Sequence, residues 1–325
     1  MNMSNTKQLP MIILTGPTAV GKTETSIALA KAVNGEIISA DSMQVYRHMD
    51  IGSAKIKKGE MQGVAHHLID VLDPWEPFNV VIFQQMCKEC LSGIYSRNRI
   101  PIVTGGTGFY IQALLNDIDF TENEDNTPIR EELELLASKY GPEYLHSMLE
   151  EVDPKSAADI HANNQKKVIR ALEYYRLTGQ RISEHNMMER QKGRAYNSCY
   201  FVLNDERDKL YQRIEKRIDG MLQEGLVDEV RTLKKKGCTR DLISMQGLGY
   251  KEILAYLDGE ISLDEAVYIL KRDTRHFAKR QLTWFRRESD VIWINKNEFD
   301  YNNEQILAYM LDKIKEKGIL ENDYA

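Results

Sequence analysis

Eight consecutive residues, Gly16-Pro17-Thr18-Ala19-Val20-Gly21-Lys22-Thr23, fit the pattern G-x-x-x-x-G-K-S/T in full. Glycines at this spacing let backbone N–H groups converge on phosphate oxygens, and a following helix adds its dipole and its free N–H groups. Lys22 is placed to reach the outermost phosphate, and the Thr23 hydroxyl to ligate Mg²⁺. The motif follows the apolar run Met11–Thr15 and opens a helical segment, which is the context such a loop needs. The signal is strong for bound phosphate and silent about which phosphate compound.

Asp41 is the second candidate. It stands at the carboxyl end of the short strand Glu36–Ala40. Ligands of open α/β sheets bind at that edge, so Asp41 is expected to point into the site near the phosphate loop. A P-loop ATPase or kinase usually has a further acid, at the end of another strand, to support Mg²⁺. The natural strand for it, Ile100–Thr104, runs into Gly105-Gly106 with no acid. A phosphate loop without the rest of the ATPase machinery counts against a small-molecule kinase.

The elements that must position these residues alternate. Strand Met11–Thr15 leads to helix Gly21–Val33, and strand Glu36–Ala40 to a third strand at His67–Val71. Helix Phe83–Arg97 then precedes strand Ile100–Thr104. Such alternation implies βαβ units and a parallel sheet. From about Asn116 to Asn197 strand-like patterns are absent, and helices are expected at Ile129–Lys139, Glu143–Glu150, Pro154–Ile160 and Lys166–Leu177. Cys199–Leu203 reads as a strand returning to the sheet. Helices Arg207–Gln223, Val227–Lys236, Ile243–Leu257 and Leu263–Arg287, strand Val291–Ile294 and helix Gln305–Lys317 complete the chain. The expected architecture is a P-loop NTPase-like α/β core with an all-helical insertion and additional C-terminal helices. The expected divisions are 1–115 for the first part of the core, 116–198 for the insertion and 199–325 for its completion.

Composition bounds the setting. No run approaches the ~20 apolar residues that span a bilayer, and Met1–Pro10 is polar with no apolar core of a signal peptide. Cys87, Cys90, Cys199 and Cys238 read as reduced thiols, so a cytoplasmic protein is expected. Cys87 and Cys90 form a lone C-x-x-C inside an apolar-periodic helix, and His66-His67 lacks acids at ligand spacing before Asp70; both pairs read as structural. The tail Glu316–Ala325 is charged and expected to fray. A net charge of -6 argues mildly against a nucleic-acid partner, but the charge is unevenly spread.

The chain resembles the bacterial tRNA dimethylallyltransferases of the IPP transferase family. The resemblance is carried by GPTAVGKT at Gly16–Thr23, SADSMQVYRHMDIGSAK at Ser39–Lys55 and GGTGFY at Gly105–Tyr110. It continues through DPKSAADIHANNQKKVIRALE at Asp153–Glu173, YQRIEKR at Tyr211–Arg217, GLGYKE at Gly247–Glu252 and TRHFAKRQLTWFR at Thr274–Arg286. The blocks follow in order along nearly the whole chain. No Cys/His zinc finger of the kind some eukaryotic members carry is present, so the short bacterial form is matched.

The resemblance implies a donor, dimethylallyl pyrophosphate, and an acceptor, N6 of the adenosine just 3′ of the anticodon in tRNA. The loop Gly16–Thr23 then holds a pyrophosphate leaving group. Lys22, Arg217 and Mg²⁺ at Thr23 neutralise it. Asp41 takes the proton of the adenine amine, a weak nucleophile whose lone pair is delocalised into the ring. Ser42, Met43 and Gln44 are expected to contact the adenosine, the Gln44 amide suiting a base edge. Thr107 and Tyr110 are expected to line the route where the substrates meet. The adenine must leave its stack to react.

Two basic stretches are the expected tRNA contacts. One, in the insertion, contains Lys166, Lys167, Val168, Ile169 and Arg170, with Arg176, Arg181, Arg190, Lys192 and Arg194 beyond. The other is the helix Lys271–Arg287, where Arg275, Lys279 and Arg280 share a basic half with Lys271, Arg272, His276, Arg286 and Arg287. Phosphate contacts of this kind give affinity and register, not base choice. A monomer is expected. The rival readings are an isopentenyltransferase for free adenine nucleotide, which would not need the basic insertion, an ATP-dependent kinase, and a non-catalytic RNA-binding protein.

Overall fold

The computed structural model describes residues 8–120 and 128–320, the side chains of Arg190 and Gln191 excepted. The tail beyond residue 320 and the Arg190 side chain, both named above, lie outside what is described.

Chain contacts divide the protein into two compact units, Met1–Leu115 with Tyr196–Ala325, and Asn116–Ala195. The first holds a parallel sheet. In chain order it contains β1 (Pro10–Thr15), α1 (Lys22–Ala32), β2 (Gly35–Ala40), β3 (His66–His67), α2 (Val80–Ser96), β4 (Ile100–Gly105) and α3 (Gly108–Leu115). The second contains α4 (Pro128–Tyr140), α5 (Pro142–Val152), α6 (Pro154–Asp159), α7 (Gln165–Thr178) and α8 (Ile182–Gln191). The sheet unit resumes with β5 (Asn197–Asn204), α9 (Arg207–Glu224), α10 (Leu226–Lys235), α11 (Tyr250–Leu257), α12 (Leu263–Phe285), β6 (Val291–Asn295) and α13 (Asn303–Glu316). The expected division at 198/199 falls inside β5.

The strand order is β3-β2-β4-β1-β5-β6, every pairing parallel. Residues Met11–Leu14 of β1 and Cys199–Leu203 of β5 are buried without alternation, as strands covered on both faces must be. β1 lies at the centre, so the loop after it opens at the middle of the sheet's carboxyl edge, flanked by the loops after β4 and β5.

The structure departs from the sequence reading in four places. The strand expected at His67–Val71 is confined to His66–His67, because Leu68 (φ 59°) and Asp70 (φ 56°) turn left-handed. The helix expected from Phe83 starts at Val80, where Asn79 caps it by accepting from the N–H groups of Val81 and Ile82, both at 3.0 Å. The single helix expected over Ile243–Leu257 is a short 3₁₀ turn, Ile243–Gln246, then α11, broken at Gly249 (φ 92°). The helices α3 and α8 were not anticipated.

The helical unit has its own core of Leu133, Leu145, Leu149, Val168, Ile169 and Leu172. Its buried acids are answered. Asp153 caps α6 through the Ser156 N–H (3.1 Å) and also accepts from Ser183 Oγ (2.6 Å). Glu173, fully buried, receives Arg130 at 2.6 Å.

Candidate active site

The phosphate loop is bent by three left-handed or near-extended positive angles, at Gly16 (φ 150°), Ala19 (φ 63°) and Gly21 (φ 101°). Gly16 is required for space as well, since a Cβ there would sit 2.4 Å from the Leu203 carbonyl oxygen of β5. Lys22 folds back over the loop, and its Nζ donates to the carbonyls of Gly16 and Pro17, each at 2.9 Å. Thr23 follows on the exposed first turn of α1.

Three side chains brace the loop from outside. Arg213 Nε of α9 donates to the Ala19 carbonyl at 3.0 Å. That guanidinium is ion-paired with Asp205, a fully buried carboxylate just after β5, which also accepts from Tyr301 Oη at 3.0 Å. Gln281 of α12 accepts the Thr18 N–H at 2.9 Å while its Nε2 donates to the Gly106 carbonyl at 2.9 Å. It thereby ties the loop after β1 to the loop after β4.

Arg217 reaches the same place from α9, with Nη1 3.4 Å from Thr18 Oγ1. Burial lowers its pKa, opposed by the negative charge of Asp41. Burial, then the Arg217 charge, brings the Lys22 ammonium down to about 8, and Asp41 again opposes. Lys22, Arg217 and Asp41 thus share one electrostatic cluster over the phosphate loop.

Asp41 follows β2 directly. Its Oδ1 accepts from the N–H groups of Met43 (2.8 Å) and Gln44 (3.3 Å), which fixes the half-buried carboxylate. Ser42, Met43 and Gln44 are each half-buried. The Gln44 amide is held at both ends: Oε1 accepts from Ser39 Oγ (3.2 Å) and Nε2 donates to the Ser53 carbonyl (3.4 Å). Thr107 donates its N–H to the Ala40 carbonyl at 3.3 Å, so it lies beside Asp41. Tyr110, expected to line a substrate route, is buried and stacked on Phe83 at 4.7 Å.

The basic stretches divide on inspection. On α12, Lys279 and Arg280 are exposed, and with His276, Thr283, Trp284 and Arg287 they line an open groove of about 460 Å³. Arg275 is instead paired with Glu215 at 2.6 Å, and Lys271 with Asp219 at 2.6 Å. The low acid content of α12 itself was a poor guide, because α9 supplies the acids. In the helical unit Lys166 and Lys167 are exposed at the start of α7, and Arg170 leans towards Glu173 at 3.6 Å. Val168 is fully buried and Ile169 nearly so, packed into the unit's core. The side chains of this stretch that reach the surface are those of Lys166, Lys167 and Arg170.

The sequence reading missed Gln281, Arg213 and Asp205. One signal was available for Gln281: it shares the helical phase of Ala278 and Phe285, so a polar residue sits on the buried face of α12. Asp205 and Arg213 carried no such mark.

No group of three or more His, Cys, Asp or Glu able to hold a metal exists among the described residues. The oxygen set at the loop suits Mg²⁺ all the same, because Mg²⁺ is commonly held by one or two protein oxygens, phosphate oxygens and water. Thr23, exposed in the first turn of α1, carries the hydroxyl that would hold it.

A central β1 followed by the Gly16–Thr23 loop, with an acid after β2 on the far side of β4, defines a P-loop-like α/β protein. Residues 44–288 match the family described as IPP transferase, and residues 10–71 match that described as isopentenyl transferase. A tRNA dimethylallyltransferase of Lachnoclostridium phytofermentans is 59% identical over 313 residues, 96% of this chain and 99% of that one. The full-length tRNA isopentenylpyrophosphate transferase of Bacillus halodurans is 45% identical with a TM-score of 0.72, covering 96% of this chain and 98% of that one. A eukaryotic dimethylallyltransferase acting on tRNA is 28% identical with a TM-score of 0.82, covering 97% of this chain and 81% of that one. The chain belongs to the IPP transferase family.

Proposed function

We propose that this chain transfers the dimethylallyl group from dimethylallyl pyrophosphate to N6 of the adenosine 3′-adjacent to the anticodon in tRNA, releasing pyrophosphate. The observation that carries the reading is the cluster of Lys22, Arg217 and Asp41 around one phosphate loop: two cations for a leaving group and one oriented carboxylate for an amine proton.

Backbone N–H groups of the loop, other than the Thr18 N–H held by Gln281, and the start of α1 hold the pyrophosphate. Lys22 exchanges its carbonyl partners for phosphate oxygens, and Arg217 approaches from α9 with Thr18 beside it. Mg²⁺, when bound at Thr23, adds charge neutralisation to the departing pyrophosphate. As the allyl C–O bond lengthens, the two cations stabilise the negative charge that develops on the leaving oxygen. The adenine amine attacks the allyl carbon, and Asp41 Oδ2 accepts its proton as the C–N bond forms. Oδ1, held by two N–H groups, keeps the acceptor oxygen aimed. Gln44 addresses the edge of the flipped base with the hydrogen and lone pair it has left. Lys279 and Arg280 on α12, with Lys166, Lys167 and Arg170 on α7, meet RNA phosphates. The reading includes a monomer acting in the cytoplasm; no helix among the described residues is long and apolar enough to cross a membrane.

Mass spectrometry of nucleosides from unmodified tRNA, after incubation with protein, Mg²⁺ and dimethylallyl pyrophosphate, tests this beside Asp41→Ala. A prenylated adenosine formed only with Asp41 intact is the expected result. No product from folded, pyrophosphate-binding protein would overturn it.

A further inference from the structure

Glu229 lies on α10, far in sequence from every residue given a chemical role, yet its carboxylate is committed to one short stretch of backbone. Oε2 accepts the N–H groups of Asp50 (3.0 Å) and Ile51 (2.7 Å), and Oε1 accepts that of Gly52 (3.1 Å). Tyr250, at the start of α11, donates its hydroxyl to Glu229 Oε1 at 2.9 Å and accepts the Ser53 N–H at 3.1 Å. Two side chains therefore capture four successive N–H groups. Hydrogen bonds to a carboxylate are among the stronger ones available to backbone donors.

The captured stretch is moulded to fit. A Cβ on Gly52 would lie 2.6 Å from Tyr250 Cζ, so the chain passes against the phenol ring with no room to spare. Gly247, just before α11, is packed against Met43, where a Cβ would stand 2.5 Å from Met43 Cε. From below, the buried Lys55 ammonium donates to the Tyr46 carbonyl (2.6 Å), to Asp50 (2.7 Å) and to Asp70 (2.5 Å). The loop from Asp41 to Lys55 has no strand or helix of its own to hold it. Its first half is pinned by backbone bonds to residues 70–72, residues 50–53 are held by the contacts above, and the Ser53 carbonyl at their end receives the Gln44 amide.

We propose that Glu229 and Tyr250 are positioning residues for acceptor selection: by fixing the backbone of residues 50–53 they fix the Ser53 carbonyl, which orients the Gln44 amide and so presents the adenine to Asp41 in one register. The inference rests on the proposed function for its substrate. Neither residue touches the phosphate loop, so donor handling is independent of them.

The test compares Glu229→Gln and Tyr250→Phe with the unaltered chain. Steady-state transfer to an anticodon stem-loop RNA is measured against donor and acceptor separately, with amide hydrogen exchange across residues 41–55. The expected result is a fall of at least about tenfold in kcat/KM for the RNA. The KM for dimethylallyl pyrophosphate should stay within about twofold, and exchange should quicken at residues 50–53 but not in β1 or α1. Glu229→Gln should have the larger effect, because it disturbs at least two captured donors and Tyr250→Phe only one. Unchanged acceptor kinetics in both variants would overturn the proposal, as would an equal loss of donor and acceptor parameters, which marks a general structural role. If the unaltered chain makes no prenylated adenosine, the functional reading falls and the assignment with it; the exchange data, which need no reaction, still show separately whether the two side chains hold the loop.

Discussion

Raising the pH should loosen the grip on pyrophosphate, and Lys22 sets where. Burial and the neighbouring Arg217 bring its ammonium from 10.5 to about 8 in the free protein. The charged form is the one that attracts phosphate, so affinity is present below that value and is lost as pH rises through it. On simple titration, ~90% of Lys22 is charged at pH 7 and ~10% at pH 9. Bound pyrophosphate returns the ammonium towards its ordinary value, so the apparent dissociation constant should rise about tenfold per pH unit above 8. Titration calorimetry of pyrophosphate in excess Mg²⁺, from about pH 6.5 to about pH 10, measures this without relying on turnover. Three variants sharpen it. Arg217→Gln removes a like charge and should move the midpoint up. Asp41→Asn removes an opposing charge and should move it down. Lys22→Arg keeps its charge throughout and should abolish the midpoint. A flat affinity to pH ~9 in the unaltered chain, or Arg217→Gln and Asp41→Asn shifting the midpoint in the same direction, would refute the electrostatic cluster.

Asp41→Asn should lower kcat by ~10²–10⁴-fold while pyrophosphate still binds at pH 7, as single-turnover kinetics beside calorimetry will show. Lys279→Ala and Arg280→Ala should each weaken tRNA binding and reduce the slope of log affinity against log salt by ~1, read by filter binding across a salt series. Gly108→Ala places a methyl 2.2 Å from Trp284 Cδ1; overpacking of this kind costs ~1–3 kcal/mol, measurable by denaturant unfolding. Glu36 is held near pKa 2, chiefly by Arg97 and also by His67. Its folded value lies below its unfolded value, so it stabilises above pH ~4.5 and that contribution is lost as pH falls towards 2. Glu36→Gln should flatten this part of the acid-unfolding curve.

What could be read from the residues beforehand was whatever a local pattern encodes. The phosphate loop, Asp41 at a strand end and the alternation of strands and helices each depend on neighbours in sequence, and the sheet is parallel as that alternation implies. The strand at His67–Val71 was overextended because apolar character says nothing of the left-handed turns at Leu68 and Asp70. Arg275 and Lys271 looked free because their acid partners, Glu215 and Asp219, lie on another helix. Arg213 and Glu229 carry no local mark because each acts on backbone far away in sequence, and Asp205 because its side-chain partners, Arg213 and Tyr301, lie later in the chain.

The missing acid after β4 has a steric cause in the fold. β4 lies between β1 and β2, so its trailing loop must pass between the phosphate loop and the loop of Asp41. A Cβ at Gly105 would stand 2.1 Å from the Ala40 carbonyl oxygen, and one at Gly106 would stand 2.2 Å from Gln281 Nε2. At 105 a side chain would collide with the β2 backbone, and at 106 one could enter only by displacing the Gln281 amide, so an acid in the manner of a P-loop ATPase would cost the contacts that close this edge. The space an acid would need is taken by the close approach of β2 and by Gln281, which ties Thr18 to Gly106. Of the acids at this edge, Asp205 after β5 is taken up by Arg213 and Tyr301, while Asp41, one strand beyond β4, has its carboxylate fixed by the two N–H groups on Oδ1. Glycine at 105 and 106 therefore lets the Gly16–Thr23 loop and the loop of Asp41 approach each other. Gly106→Ala, which must displace Gln281, should weaken pyrophosphate binding in the same way as Gln281→Ala. Wild-type affinity in both would sever the link between Gln281 and the phosphate loop.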